Sequence, residues 1–236
     1  MATKIIIPAR LDSSRLPGKL LLKIGNKTLL EHIICRSKKI KNTTLFVATD
    51  NKKIENIAKS LDVECWFSSK KFENGTHRIS YFTNTKKFKT NDIIINIQAD
   101  EYNFSIHGVN KLIKYLSLKS SHAVATLIYR DSIKKNYNNI NNVKVITDKS
   151  NNALYFTRQK SPLNSINNFY THIGIYGYKI NALKIYDKLE KSNYEYNEKL
   201  EQLRYIWNNI PIHCILLNKN QSVSINTIED LNILKK

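Results

Sequence analysis

Arg10, Arg15 and Lys19 stand in one polar loop behind the apolar run Ile5-Ile6-Ile7. Guanidinium forks match the oxygens of phosphate and carboxylate groups, and a lysine adds a compact point charge. Such a set suits a triphosphate; a solvated basic loop ahead of a helix is the other reading. Farther on, Asn96-Ile97-Gln98-Ala99-Asp100-Glu101 ends a second apolar run in two carboxylates. Mg²⁺ takes one or two carboxylates together with phosphate oxygens and water, so this pair fits a magnesium site, while Asp100 as a plain turn former would need no metal. Between them, Gly75-Thr76-His77-Arg78 puts a glycine, a hydroxyl and an arginine at a helix start. An anion or a nucleobase edge fits there, as does an ordinary helix N-terminus.

The elements that must hold these groups follow from periodicity. Lys4–Ile7 is expected as a buried strand that stops at Pro8, because proline cannot donate to a ladder. A helix is expected over 28–41, a strand over Thr44–Ala48, and a helix over Asn51–Leu61 capped by Asp50. A strand at Val63–Phe67, a helix near 79–86 and a central strand at Asp92–Ile97 complete an alternation that indicates a parallel, helix-covered sheet. The basic loop and Asp100 then lie at carboxyl ends of strands, where open α/β sheets bind ligands. A helix near 105–119 follows. Strands at Ala123–Tyr129, Val143–Thr147, Ala153–Thr157 and Tyr170–Tyr178 come in quick succession and predict an antiparallel extension or β-rich lobe. Helices are expected near 180–190 and 198–208, a strand at Ile212–Leu217, and a terminal helix behind the capping box Thr227-Ile228-Glu229-Asp230. The Asn-rich stretch 136–142 reads as a surface loop.

The chain of 236 residues is long enough for a full core. It carries a formal charge of +19, which raises nucleic-acid binding as a possibility. The basic residues are spread along the whole chain, whereas a polyanion footprint clusters, so no nucleic-acid partner is expected. Of the 38 basic residues only seven are arginines: Arg10, Arg15, Arg36, Arg78, Arg130, Arg158 and Arg204. Where lysine is the default cation, an arginine marks a place that needs a guanidinium, and all but Arg36 and Arg130 fall in motif-like stretches. No apolar run reaches membrane-spanning length. The N-terminus lacks a signal-peptide layout, and Cys35, Cys65 and Cys214 are odd in number and lack ligand spacing. A cytoplasmic protein with reduced thiols is expected, with no membrane association.

The motifs, taken in order, carry a resemblance. Ile7-Pro8-Ala9-Arg10, Arg15-Leu16-Pro17-Gly18-Lys19, Ala48-Thr49-Asp50, Gly75-Thr76-His77-Arg78 and Asn96 to Glu101 are joined by Asn142-Val143-Lys144-Val145, Ala153 to Arg158, His172 to Tyr178 and Leu200-Glu201-Gln202-Leu203-Arg204. With this spacing the chain resembles the 3-deoxy-manno-octulosonate cytidylyltransferase family from end to end. The resemblance implies a three-layer α/β/α, Rossmann-like nucleotidyltransferase with a mixed, mostly parallel sheet and a small β-rich dimerisation lobe. It implies one domain over 1–236, with a nucleotide-binding half to about residue 120 and a sugar-binding, dimerising half beyond it. The implied reaction is attack of the anomeric hydroxyl of 3-deoxy-manno-octulosonate (Kdo) on the α-phosphate of CTP. It needs Mg²⁺, gives CMP-Kdo and pyrophosphate, and feeds lipopolysaccharide synthesis.

By the same resemblance Arg10, Arg15 and Lys19 hold the triphosphate, with Arg78 and Gln98 also at the nucleotide. Arg10, Lys19 and Asp100 are the catalytic set. Arg158, His172, Tyr176, Glu201 and Gln202 shape the pocket for the acidic sugar, and a homodimer is implied. Asp100 and Asn226 are the metal positions. The family has an aspartate where this chain has Asn226, and its Gly-Asp-Glu-Pro turn is here Ala99-Asp100-Glu101-Tyr102. The loop Gln159-Lys160-Ser161-Pro162 also departs from the family register. These departures leave two alternatives: a related acidic sugar such as 8-amino-Kdo or another ulosonate, and a non-catalytic nucleotide-binding descendant.

Overall fold

The structure, a computed structural model, describes residues 1–12, 16–86, 88–119, 122–160, 169–218 and 222–234. The chain opens with β1 (Thr3–Ala9), a small hairpin of β2 (Lys23–Ile24) and β3 (Lys27–Thr28), and α1 (Leu29–Ser37). Then come β4 (Thr43–Thr49), α2 (Lys52–Ser60), β5 (Glu64–Phe67), α3 (Gly75–Thr85) and β6 (Ile93–Ile97). After β7 (Glu101–Tyr102) and α4 (Ile106–Ser117) follow β8 (Val124–Asp131), α5 (Lys134–Asn138), β9 (Lys144–Thr147), β10 (Ala153–Thr157) and β11 (Phe169–Lys179). The last part holds α6 (Ile180–Lys184), α7 (Asn193–Glu198), α8 (Leu203–Trp207), β12 (Ile212–Leu217), β13 (Val223–Ser224) and α9 (Ile228–Ile233).

One nine-stranded sheet runs β10-β9-β11-β6-β1-β4-β5, with β8 on the other side of β11 and β12 beside β8. Only β10 and β11 run against the rest, as their antiparallel pairings require. The run Ile5-Ile6-Ile7 shows why both faces must be covered. Ile5 and Ile7 join a core with α1, α2 and α4, including Leu29, Ile33, Ile54 and Leu112. Ile6 points the other way, toward Ile79 and Phe82 of α3 and Leu183 of α6. Side chains alternate along a strand, so a fully apolar strand needs a layer on each side. The expected three-layer α/β/α arrangement is observed.

Strand β11 creates the opening. Its Ile175–Lys179 part pairs with β6, while Tyr170 and Thr171 pair with β9 on the same edge. A register shift between Ile173 and Tyr176 marks the change of neighbour. Gly174 sits at this point, and a Cβ there would lie 2.6 Å from Glu101 Oε1. The gap between the end of β6 and the start of β9 is thus floored by Thr171 to Gly174.

Four local expectations change. β1 continues through Pro8, which keeps register with Ala48, because the ladder to β6 has already ended at Ile6. Asn51, not Asp50, caps α2 by accepting from Lys53 N. The helix expected over 198–208 is broken: Lys199 adopts φ 54° between α7 and α8. The Asn-rich stretch is no plain surface loop, since α5 reaches into it and Tyr137 is buried.

Candidate active site

The carboxyl ends of β1 and β6 and the floor of β11 enclose an open cleft of about 1080 Å³. Arg10, Lys19, Arg78, Gln98, Asp100, Arg158, His172, Tyr176, Glu201, Gln202 and Asn226 all line it. Arg15 lies outside the described residues.

At one end Lys19 Nζ meets Asp100 Oδ2 at 2.6 Å and donates to the Ile225 carbonyl at 3.2 Å. Gly18 makes this approach possible: its φ of 67° is the left-handed conformation glycine tolerates, and it starts the short helical turn that carries Lys19. Asn226 arrives from the other end of the chain. β13 pairs with β7, Ser224 opposite Glu101, and Ile225 N donates to Asp100 O. The bolt for this pairing is Glu101. Its Oε1 accepts from Gly174 N at 2.9 Å and Ser224 Oγ at 2.6 Å, and its Oε2 accepts from Ser222 Oγ. Burial, then the adjacent Asp100, raises the Glu101 carboxyl above the usual range. Both of its oxygens are occupied by protein donors, which leaves Asp100 as the carboxylate facing the cleft.

Along one wall Arg78 is 3% exposed and pairs with Asp50 at 2.6 Å, its guanidinium 5.0 Å from the Phe72 ring. Its Nη1 is buried without a partner among the described residues. The wall beyond holds Glu201, whose Oε1 accepts from the Thr76 amide and hydroxyl at the start of α3. That placement suits a carboxylate at a helix N-terminus, although burial raises its pKa.

At the far end His172 lies 5.0 Å from the Tyr176 ring. Thr126 Oγ1 donates to the Ile175 carbonyl, so its oxygen accepts from His172 Nε2–H at 2.9 Å. Burial, helped by the Arg158 charge, pushes the imidazole down to about 3, and the ring is neutral at pH 7. Arg158 Nε donates to the Glu198 carbonyl at 3.1 Å and Nη1 to the Ile140 carbonyl at 3.2 Å. The Glu198 carboxylate in turn accepts from Thr157 Oγ1 and Arg158 N.

The family model described as "Cytidylyltransferase" matches residues 4–215. A 3-deoxy-manno-octulosonate cytidylyltransferase of Francisella tularensis subsp. tularensis (strain FSC 198) is 35% identical over 98% of this chain and 96% of its own length. This chain belongs to the 3-deoxy-manno-octulosonate cytidylyltransferase family. A family relative from Actinobacillus pleuropneumoniae serotype 7 (strain AP76) is 32% identical, with 98% of this chain and 97% of the relative covered. Among solved structures, CMP:2-keto-3-deoxy-manno-octonic acid synthetase complexed with CTP superposes with a TM-score of 0.88 at 30% identity, covering 100% of this chain and 97% of that one. A cytidylyltransferase from Leptospira borgpetersenii serovar Hardjo-bovis shares the fold, with a TM-score of 0.67 at 20% identity over 100% of this chain and 85% of that one.

For a cytidylyltransferase of this family, the residues near Asp100 fit magnesium as a hard cation: one carboxylate and one amide oxygen, with substrate phosphates free to complete the shell. Among the described residues no group of three or more His, Cys, Asp or Glu could hold a metal, so the protein alone offers a sparse set. Sequence reading missed that the carboxylates of Asp50, Glu73 and Glu195 hold Arg78 and Arg204, and that the Glu198 carbonyl accepts from the Arg158 guanidinium. Each lies far along the chain or in a helix of ordinary composition, and no spacing signals it.

Proposed function

We propose that this protein transfers CMP from CTP to 3-deoxy-manno-octulosonate, giving CMP-Kdo and pyrophosphate, a product that feeds lipopolysaccharide synthesis. The observation that carries the reading is one cleft with two chemically different ends. One end holds Lys19, Asp100 and Asn226; the other holds Arg158, His172 and Tyr176. The anomeric oxygen of the sugar attacks the α-phosphorus, the bond to the β-phosphate oxygen breaks, and the hydroxyl proton passes to solvent. Such a transfer demands positioning and charge neutralisation more than covalent help. Asp100 and Asn226 would hold Mg²⁺, which supplies positive charge to the phosphates. Lys19 and Arg10 place the triphosphate, and an arginine fork at Arg158 suits the sugar carboxylate.

The test is pyrophosphate release by the purified protein with CTP, Kdo and Mg²⁺, each omitted in turn. Release that requires all three supports the reading. Asn226 favours a second reading, a nucleotide-binding descendant without turnover, which predicts CTP binding and no release. A panel of other ulosonates separates a changed sugar from lost chemistry.

Asn226 also sets a metal expectation. An amide oxygen binds Mg²⁺ without adding negative charge, so Asn226→Asp should tighten Mg²⁺ by about tenfold, on the order of one charge interaction near the surface. Calorimetric titration of Mg²⁺ into the CTP complex reads this directly, and an unchanged affinity removes Asn226 from the metal site.

A homodimer through the second half is part of the proposal. Leu154, Tyr194, Tyr196 and Trp207 are 55%, 53%, 81% and 47% exposed there, and Tyr155, Tyr194 and Trp207 form a chain of rings at 6.0 and 5.9 Å. Exposed aromatic groups of this kind mark association surfaces. Sedimentation equilibrium should give twice the 27.4 kDa chain mass, reverting to one chain mass in Tyr196→Glu/Trp207→Glu; a monomeric wild type refutes it.

A further inference from the structure

Lys144 is fully buried at the start of β9. Lysine is almost never placed so without a partner, and this ammonium has three. It donates to the carbonyls of Asn139 at 2.9 Å, Asn142 at 3.0 Å and Arg158 at 2.8 Å. Those are the three N–H bonds an ammonium can make. Two carbonyls come from the Asn-rich segment, whose Asn139 and Asn142 line the cleft. The third belongs to Arg158, whose guanidinium reaches back to the carbonyl of Ile140 in that same segment. Two cations therefore stitch the segment to the end of β10.

Lys144 is also directly opposite Thr157 on β10 and Thr171 on β11. Opposed residues share a sheet face. Thr157 binds Glu198, and the Thr171 hydroxyl, at the cleft floor, is buried without a partner among the described residues. The charged groups around the ammonium are Arg158 at the end of β10 and Glu198 at the end of α7, with His172 on β11 held neutral. Two positive charges and one negative leave this end of the cleft cationic.

We propose that Lys144 is a positioning residue for the acidic sugar: its ammonium fixes the backbone that presents Arg158 and the Asn-rich wall, and adds positive charge behind them while it is protonated. The inference rests on the reading of the far end as the sugar pocket. A lysine there for fold stability alone would touch both substrates equally or neither. A lysine that shapes this pocket affects only the sugar.

Steady-state pyrophosphate release by wild type and Lys144→Met decides it. The expected result is a KM for Kdo raised at least ~10-fold, with the KM and calorimetric Kd of CTP within about twofold of wild type. An unchanged KM for Kdo in a variant that binds CTP normally overturns the proposal and leaves the function standing. A wild type that releases no pyrophosphate from Kdo overturns both. Should Lys144→Met fail to bind CTP, the wild-type pH profile takes over. Burial pushes the ammonium down to about 8, so its charge and one of its three donors are lost as pH rises through that value. The KM for Kdo should climb between about pH 7.5 and about pH 9.5 while that for CTP stays level. A level KM for Kdo over the same range overturns the proposal.

Discussion

Asp100→Ala is expected to cut pyrophosphate release by at least ~10³-fold while CTP still binds. Of the adjacent carboxylates Asp100 and Glu101, Asp100 is the one left turned to the cleft, because Glu101 is locked by Gly174, Ser222 and Ser224. The Asp100 side chain is only 17% exposed and its Oδ2 lies 2.6 Å from Lys19. On the proposed function, removing it deletes a magnesium ligand and frees a cation in one step. The freed Lys19 adds attraction for the triphosphate, so affinity for CTP without metal should hold or rise. The signature is a collapse of kcat with an intact CTP Kd. An Asp100→Ala enzyme with activity within about tenfold of wild type would remove Asp100 from the reaction, since losing one charge-stabilising group costs ~10²-fold or more.

The second large effect is on stability. Arg204 is 3% exposed and makes a two-pronged pair with Glu195, Nε at 2.9 Å and Nη2 at 2.5 Å, and a longer contact to Glu73 at 3.5 Å. Its guanidinium also lies 4.3 Å over the Tyr186 ring. Arg204→Met leaves the Glu195 carboxylate, 12% exposed, without its partner. Breaking one side of such a buried pair costs about 3–5 kcal/mol. At about 2–4 °C per kcal/mol for a chain of this size, Tm should fall on the order of 10 °C. The double variant Arg204→Met/Glu195→Gln should recover part of the loss, because the uncompensated charge is gone. A single-variant shift under about 3 °C would mean the pair contributes nothing net.

The scarcity of arginine pointed to the cleft but did not show how much of each guanidinium the scaffold uses. Arg78, Arg158 and Arg204 all line the cleft, yet Asp50, Glu198 and Glu195 take part of their hydrogen-bonding capacity. A guanidinium with five donors can serve the scaffold and a ligand together, and its residue type does not say in what proportion. Asp50 illustrates the limit. Read locally, it is a helix cap; in the fold, the next residue caps and Asp50 is released to hold Arg78, twenty-eight positions away.

Local chemistry determined the strands, the helices, the order of the motifs and the family they spell. The apolar runs, the capping box at Thr227 and the glycine at position 18 each act over a few residues, and that range is legible in a chain. The tertiary structure alone decided which groups share a cleft and which are used up. Asn226 shares the cleft with Asp100 only because β13 pairs with β7, and Lys144 meets Arg158 only because β9 pairs with β10. Those pairings close loops of more than a hundred residues in the first case and about a dozen in the second. Registers and burial set them, and burial is a property of the packed whole: it turns Glu101 into a bolt, keeps His172 neutral and locks an ordinary lysine onto three carbonyls.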